Sequence, residues 1–295
     1  MKKKKLLFIY NPKSGKEKIR NYLLEIIDIF VKADYEVTIY PTQKPGDAIQ
    51  ATAYKSEEYD TLVCSGGDGT LGDVVMGMMH CPKKIPIGYI PSGSTNDFAK
   101  SLKLPKKLNK AAEVAVKGRA FPCDVGLFNG DSFVYIAGFG MFTDVSYATS
   151  QDMKNILGHM AYVLEGMKRI SSIKSYAMKV EYDNQVIEGD FIFGMVTNSL
   201  SVGGFKRITG KNVQLDDGVF EVTLIKSPST VVELNAATSA LLDKYIDTSF
   251  MYCFKTSNVV FTMKEEIPWT LDGEFGGNHQ KVEIENIKRA VDIII

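Results

Sequence analysis

The first 120 residues alternate short apolar runs with amphipathic stretches, and this alternation constrains the fold more than any other feature. Four of the runs have the length of a buried strand, and they are 6–10, 36–40, 61–64 and 85–90. After the first run, apolar residues from Ile19 to Phe30 recur at three- and four-residue spacing, which predicts a helix. Strands that alternate with helices along a chain form a mainly parallel sheet. We therefore predict an α/β domain for this part.

The pattern changes near residue 119. Asn129-Gly130 separates two apolar runs, which is a strong local signal for a β-hairpin. Farther on, segments such as 176–182 are apolar at every second residue, as half-buried antiparallel strands are. Two amphipathic stretches, 156–170 and 230–245, predict helices. Because strands predominate, we predict a second, all-β domain that these two helices interrupt.

The length of 295 residues fits two compact domains. The change of period places an α/β domain at 1–122 and a β-rich domain at 123–295. Two placements of the last apolar run, 290–295, are open: it completes the second domain, or it returns to the first.

Charge and cysteine content argue against several functions. Lys plus Arg and Asp plus Glu both total 35, so the chain lacks the basic excess that neutralises nucleic-acid phosphates, and we predict no nucleic-acid partner. The four cysteines are far apart and have no metal-ligand spacing, so we expect no zinc site, and the apolar runs around Cys64 and Cys123 predict buried thiols in a reducing cytoplasm. The apolar run after the N-terminal lysines spans five residues, too few for a signal peptide. We expect any membrane contact to be peripheral.

Gly66-Gly67-Asp68-Gly69-Thr70 lies between a predicted strand and a predicted helix that Thr70 would cap. Glycines there let backbone N–H groups approach an anion, and the helix N-terminus adds partial positive charge. Phosphate is the natural ligand, and an Asp in its midst suggests a Mg²⁺ ion or water between carboxylate and phosphate. By itself the segment could also be a plain strand-to-helix turn, because Gly and Asp are the residues that tight turns prefer.

Two further loops repeat this strand, polar loop and helix arrangement: Asn11 to Lys16, and Pro91 to Ala99. The first lacks the spacing of a P-loop and could be a simple capping turn. Three such loops would meet at the carboxyl edge of one parallel sheet, which is where α/β sheets bind ligands.

Together these three loops resemble the catalytic domain of the diacylglycerol kinase family, in particular its soluble bacterial members. Two later segments strengthen the resemblance, because Leu215 to Phe220 is similar to the family's structural-metal loop and Leu271 to Glu274 to its catalytic loop. Ser94 stands where the family usually has Thr, a change that keeps the hydroxyl.

The resemblance implies a phosphofructokinase-like α/β nucleotide-binding domain, a C-terminal β-sandwich domain, and ATP and Mg²⁺ as cofactors. The nucleotide-binding residues that it implies are Asn11, Pro12, Lys13, Ser14, Gly15, Thr42, Gly66, Gly67, Asp68, Gly69, Thr70, Ser94, Thr95, Asn96 and Asp97. A catalytic magnesium network would be held by Asp68, Asp97 and Asp124, and a structural Mg²⁺ ion by Gln214, Asp217 and Val219. The catalytic residues would be Asp272, Glu274 and Asp68.

Asp272 and Glu274 are two residues apart, so on an extended strand their carboxylates face the same side. Asp272 is the predicted general base for the acceptor hydroxyl, with Glu274 in support. Without the resemblance, Asp272-Gly273 would be interpreted as a turn between strands.

The predicted reaction is transfer of the γ-phosphoryl group of ATP to a lipid hydroxyl, with diacylglycerol as the favoured acceptor. The alternatives are an NAD kinase and a non-catalytic lipid or nucleotide sensor on the same fold. Lysines between 100 and 110 alternate with leucines and could meet an anionic membrane surface, or form only a solvated face. A homodimer is possible through sheet edges.

Overall fold

The structure is a computed structural model that describes residues 3–141, 174–202, 205–206, 212–230, 232–233 and 250–295. The chain forms two compact units. The first comprises Met1–Val125 and Lys288–Ile295, and the second Gly126–Ile287. Each unit has its own hydrophobic core.

The first unit is built on parallel strands that neighbour one another in the order β2-β1-β3-β4. These strands are β1 (Lys4–Tyr10), β2 (Tyr35–Pro41), β3 (Thr61–Gly66) and β4 (Ile87–Pro91). The end of the chain adds a further strand, since Ile293 and Ile294 pair in parallel with Ile87 and Gly88. The C-terminal run therefore lies in the sheet of the first unit.

Helices follow or precede each of these strands. They are α1 (Leu23–Lys32), α2 (Asp47–Lys55), α3 (Asp68–Met79), α4 (Asp97–Ser101) and α5 (Leu108–Lys117), with 3₁₀ turns at Ser14–Asn21 and Ser56–Glu58. The helix predicted from residue 19 thus begins as a 3₁₀ segment and becomes α-helical at Leu23. Ile26 and Phe30 of α1 pack with Phe8 of β1 in one core cluster, which also holds apolar residues of α5. Neighbouring residues Leu7 and Ile9 are equally buried, as expected for a parallel sheet covered on both faces.

The second unit is antiparallel. The chain enters it through β5 (Ala120–Phe128), and a two-residue turn at Asn129-Gly130, both at positive φ, leads into β6 (Asp131–Phe133) as predicted. The other strands are β7 (Ile136–Gly140), β8 (Tyr176–Tyr182), β9 (Gln185–Thr197), β10 (Ser201–Val202), β11 (Phe205–Lys206), β12 (Phe220–Lys226), β13 (Met251–Thr256), β14 (Asn258–Leu271) and β15 (Glu274–Ile294).

The long strands β9 and β14 shape this unit. Each of them pairs with β8 toward one end and with β7 toward the other. The arrangement encloses an aromatic core, in which Phe139, Phe261 and the fully buried Trp269 contact one another. β15 returns the chain to the first unit, whose residues resume at Lys288.

The predicted helix 156–170 and nearly all of the predicted helix 230–245 lie outside the described residues. Within the described residues, no helix is both long and apolar enough to cross a bilayer.

Candidate active site

Three loops of the first unit follow the carboxyl ends of the neighbouring strands β1, β3 and β4. Hydrogen bonds connect them. Asn11 N donates to Ser65 O at 2.9 Å, and Ser92 N and Gly93 N both donate to Gly66 O, at 2.8 and 3.1 Å. The second loop is therefore bound to the first at its base and to the third at its glycines.

Glycines allow these loops to approach closely. A Cβ atom on Gly93 would overlap Cα of Gly67, and one on Gly15, which is at φ +54°, would overlap the carbonyl oxygen of Ser92. Either overlap involves backbone, which has little room to yield. The three loops thus expose backbone rather than side chains where they meet, which is what a phosphate-binding surface requires.

Helix α3 begins in the middle of this surface. It has Gly67 as its N-cap and Asp68 as its first residue. Thr70, predicted as the cap, is instead buried in the first turn, where a Cβ on Gly66 would overlap its side chain. The prediction failed because a glycine cap has no side-chain signal. The N–H groups of this first turn have no partner within the helix and carry the positive end of its dipole.

Asn96 and Tyr89 stabilise the third loop. Asn96 is at φ +50°, its Oδ1 accepts Gly93 N–H at 3.0 Å, and its Nδ2 donates to Gly93 O at 2.8 Å. The hydroxyl of the buried Tyr89 lies 3.3 Å from Gly66 O and 3.4 Å from Asn96 Oδ1. Burial raises the pKa of Tyr89, and nearby Asp68 raises it further. The hydroxyl therefore keeps its proton and can donate it to the loops.

The remaining predicted nucleotide-binding residues of the first two loops lie close by. Lys13 N donates to Asn11 Oδ1 at 3.0 Å, and Ser14 N donates to Asn11 O at 3.2 Å. Thr42 follows β2, where its backbone N–H donates to Tyr10 O at 2.9 Å. Pro12 and Gly69 are both half-buried.

In the third loop, Ser94 is exposed and Thr95 is half-buried. The exposed Ser94 hydroxyl is available to a ligand, whereas Asn96 is used within the loop itself.

Asp68 connects the second loop to the helix after the third. Its Oδ2 accepts Asp97 N–H at 2.9 Å, and its Oδ1 accepts Phe98 N–H at 3.2 Å. Burial raises the pKa of the Asp68 carboxyl to about 6, and the Asp97 carboxylate contributes to the rise, whereas the two N–H donors and Lys100 oppose it. Asp68 thus has a positioning role in addition to any contact with a cation.

The other two aspartates of the predicted magnesium network are fully buried and also bonded. Asp97 Oδ1 lies 2.9 Å from Lys100 Nζ, and Asp124 Oδ1 accepts Arg289 N–H at 2.7 Å. Lys100 is thus not part of an exposed basic face. Its charge balances a buried carboxylate.

Within the part of the chain that the structure describes, no three His, Cys, Asp or Glu side chains come together as metal ligands. Asp68, Asp97 and Asp124 are therefore not gathered as direct ligands of one ion. Carboxylate oxygens still fit the preference of Mg²⁺ for hard oxygen donors, and a network through water needs no such direct convergence. The magnesium assignment stays a prediction.

Asp272 lies in a turn of the second unit between β14 and β15. Its φ is +51°, and its carboxylate accepts three backbone N–H groups: Val134 at 2.7 Å, Tyr135 at 2.9 Å and Ile136 at 3.1 Å. Tyr135 Oη also donates to Asp272 O at 3.2 Å. Glu274, two residues on, is exposed. The carboxylate of Asp272 is thus held in one orientation, whereas Glu274 projects into solvent.

The predicted structural-metal loop also belongs to the second unit. Asp217 Oδ1 accepts Val219 N–H at 3.2 Å, and Gln214 is exposed. The buried Glu221 lies nearby and forms an ion pair with Lys255. Burial raises the pKa of Glu221 to about 7, although Lys255 opposes the rise.

Comparison with known proteins connects these features. A family model for the diacylglycerol kinase catalytic domain matches residues 5–128, and one for the YegS C-terminal NAD kinase beta sandwich-like domain matches residues 137–294. The chain is 33% identical to the diacylglycerol kinase of Bacillus subtilis (strain 168) over 294 residues, which cover 99% of this chain and 96% of the relative. It is also 33% identical to that of Staphylococcus carnosus (strain TM300) over 292 residues, covering 99% and 95%.

The chain belongs to the diacylglycerol kinase family. A crystal structure of a diacylglycerol kinase from Bacillus anthracis str. Sterne matches it with a TM-score of 0.79 and 25% identity, covering 100% of this chain and 97% of that one. The family and the fold class predicted from the motifs, an α/β domain followed by a β-sandwich domain, are confirmed.

The roles of individual residues stay predictions, although the structure brings many of them together in the first unit. Sequence reasoning missed several of their partners, namely Tyr89, Lys100, Arg289, Lys255 and the backbone of 134–136. Only Lys100 had a local signal, because it lies three residues after Asp97 on one helix, a spacing at which opposite charges pair.

Proposed function

We propose that this member of the diacylglycerol kinase family transfers the γ-phosphoryl group of MgATP to the free hydroxyl of diacylglycerol and forms phosphatidic acid. The observation that carries the proposal is the close packing of three glycine-containing loops around the N-terminus of α3. The negatively charged phosphates of a nucleoside triphosphate are the groups that such a surface of backbone N–H groups binds.

The first unit is proposed to position the phosphates. Backbone N–H groups of Gly67 to Thr70 would face them, and the exposed Ser94 hydroxyl would add a donor. Asp68 would keep the second and third loops at a fixed distance from each other, because its carboxylate accepts hydrogen bonds from residues 97 and 98. Mg²⁺, bound with the nucleotide beside the acidic side chains, would supply positive charge against the phosphate oxygens.

The second unit is proposed to supply the acidic groups for the acceptor. The acceptor oxygen forms a bond to the γ-phosphorus while the bond from that phosphorus to the bridging oxygen breaks, and ADP leaves. The hydroxyl proton passes to a carboxylate. Asp272 is the proposed general base and Glu274 its support, since both lie at the same turn.

Diacylglycerol resides in bilayers, so we infer a cytoplasmic enzyme that meets a membrane surface peripherally. Lys103, Lys106 and Lys107 support this inference, because all three are exposed within a short segment of the first unit. A homodimer stays a prediction.

The proposal is tested by an acceptor panel with γ-labelled ATP and Mg²⁺. Diacylglycerol, a sphingoid base, ceramide and NAD are each offered, the lipids both in detergent micelles and in vesicles that contain anionic lipid. We expect label in phosphatidic acid, with faster turnover in the anionic vesicles than in neutral ones. Label in NADP alone would refute the proposal, and label in a phosphorylated sphingolipid alone would refute the acceptor.

A further inference from the structure

A lysine of β13 lies beside the segment 212–221 of the second unit. Lys255 Nζ donates to Asn212 O at 3.0 Å and lies 2.8 Å from Glu221 Oε1 and 3.7 Å from Asp217 Oδ2. One backbone carbonyl and two carboxylates thus approach a single ammonium group. These are the oxygen donors that hard cations prefer.

Strand pairing holds this lysine in place. Lys255 of β13 lies directly opposite Glu221 of β12 in the antiparallel ladder. The Glu221 side chain is 6% exposed, whereas that of Lys255 is 39% exposed. A buried carboxylate without a cation is costly, so the register of β12 and β13 positions Lys255 to balance Glu221. The same ammonium group also lies 3.7 Å from Asp217 Oδ2.

Asp217 is also the side chain predicted to bind a structural Mg²⁺ ion. An ammonium group beside that carboxylate repels a divalent cation, and this repulsion is strong at short range. The same ammonium group neutralises part of the acidic charge that would otherwise need a metal ion.

We infer that Lys255 is the built-in cation of this loop, which folds without a metal ion and binds Mg²⁺ only weakly while Lys255 is present. The inference concerns the proposed structural-metal loop and not the phosphoryl transfer, so its failure would leave the proposed function untouched. It predicts that removing the ammonium group makes the loop a better magnesium site.

The test is a Mg²⁺ titration of the nucleotide-free protein, starting from EDTA-treated samples. Calorimetry measures affinity, and hydrogen exchange at residues 212–219 and 251–256 reports the loop itself. Lys255→Met keeps the length of the side chain and removes its charge, whereas Lys255→Arg keeps the charge. Lys281→Met is the matched control, because Lys281 pairs with Glu283 on the exposed face of β15 in the same unit.

We expect Lys255→Met to bind Mg²⁺ at least about tenfold more tightly than the wild type. In EDTA its loop should exchange faster, and Mg²⁺ should restore protection. Lys255→Arg and Lys281→Met should resemble the wild type, and Asp217→Asn added to Lys255→Met should abolish the gain.

Equal or weaker Mg²⁺ affinity in Lys255→Met would overturn the inference. If that variant does not fold, hydrogen exchange of the wild-type loop tests the inference instead. Little change in loop exchange between EDTA and millimolar Mg²⁺ supports the inference, and strong protection by Mg²⁺ refutes it.

Discussion

At the scale of a single residue, Asp272 both forms a turn and presents a carboxylate held by hydrogen bonds. Its left-handed backbone makes the turn between β14 and β15, and its carboxylate receives three N–H groups from the segment 134–136. Such bonds fix the orientation of a group, which favours catalysis, but they also occupy lone pairs that a base needs. The exposed Glu274 has the opposite properties. Substituting each acid in turn can therefore distinguish their roles.

We expect Asp272→Asn to lower the turnover number for diacylglycerol by about 100-fold or more, because the proposed proton acceptor is lost. Nucleotide binding should change less than about twofold. Glu274→Gln should cost about tenfold, in keeping with a supporting role. Steady-state kinetics and nucleotide titration measure both effects, and Glu188→Gln, at an exposed residue of β9, is the control. A larger loss in Glu274→Gln than in Asp272→Asn would transfer the role of base to Glu274.

At the scale of elements, the site of the first unit depends on backbone contact between loops. Gly93 packs on Gly67 so closely that any side chain on Gly93 would separate the second and third loops. Asp68 then holds this spacing through its hydrogen bonds to residues 97 and 98, and Asn96 fixes the shape of the third loop itself. The proposed phosphate-binding surface is thus formed jointly by the loops at three strand ends, and a local change in one loop should affect all of them.

Gly93→Ala should raise the KM for ATP about tenfold, because the added methyl group displaces the third loop from the N-terminus of α3. Overpacking of this kind costs about 1–3 kcal/mol of stability. Kinetics and thermal unfolding measure the two effects. Gly189→Ala is the control, since its methyl group would meet only the Phe191 ring at an ordinary 3.6 Å. An unchanged KM in Gly93→Ala would contradict the proposed role of loop packing.

The sequence predicts the loops well because each one follows from local order: a buried strand, small polar residues, then a helix. It also predicts the hairpin at Asn129-Gly130, whose turn type depends on two residues. It does not predict which distant groups meet. The bonds from Asp272 to residue 134 and from Asp124 to Arg289 join positions 138 and 165 residues apart, and both depend on strand register. Register is a property of the assembled sheet, so it cannot be inferred from the spacing of motifs along the chain.

At the scale of the whole molecule, the chain leaves the first unit through β5 and returns to it through β15. The returning residues are well packed, since Ile293 is fully buried and pairs beside Ile87 of β4. Ile295 N donates to Arg119 O, and Arg119 N donates back to Ile295 O. The returning strand is therefore a structural part of the first unit.

Ile293→Ala should lower the free energy of unfolding by about 2–5 kcal/mol, through lost burial and the cavity left behind. The weakened strand should also release β4, so amide exchange should accelerate at residues 87–91. Denaturant unfolding and hydrogen exchange measure the two effects, and Val186→Ala, at a side chain 56% exposed, is the control. Unchanged exchange at 87–91 would mean that β4 is held without the last strand.

The returning strand has a consequence for biosynthesis. Synthesis proceeds from the N-terminus, so β1 to β4 emerge from the ribosome long before Ile293 is added. Until then the outer edge of β4 is an unpaired strand beside a nearly complete sheet, and such edges recruit other strands. We therefore expect the sheet of the first unit to stay incomplete until the returning strand has been synthesised, and a recombinant fragment that stops at residue 128 to aggregate unless the segment 288–295 is supplied.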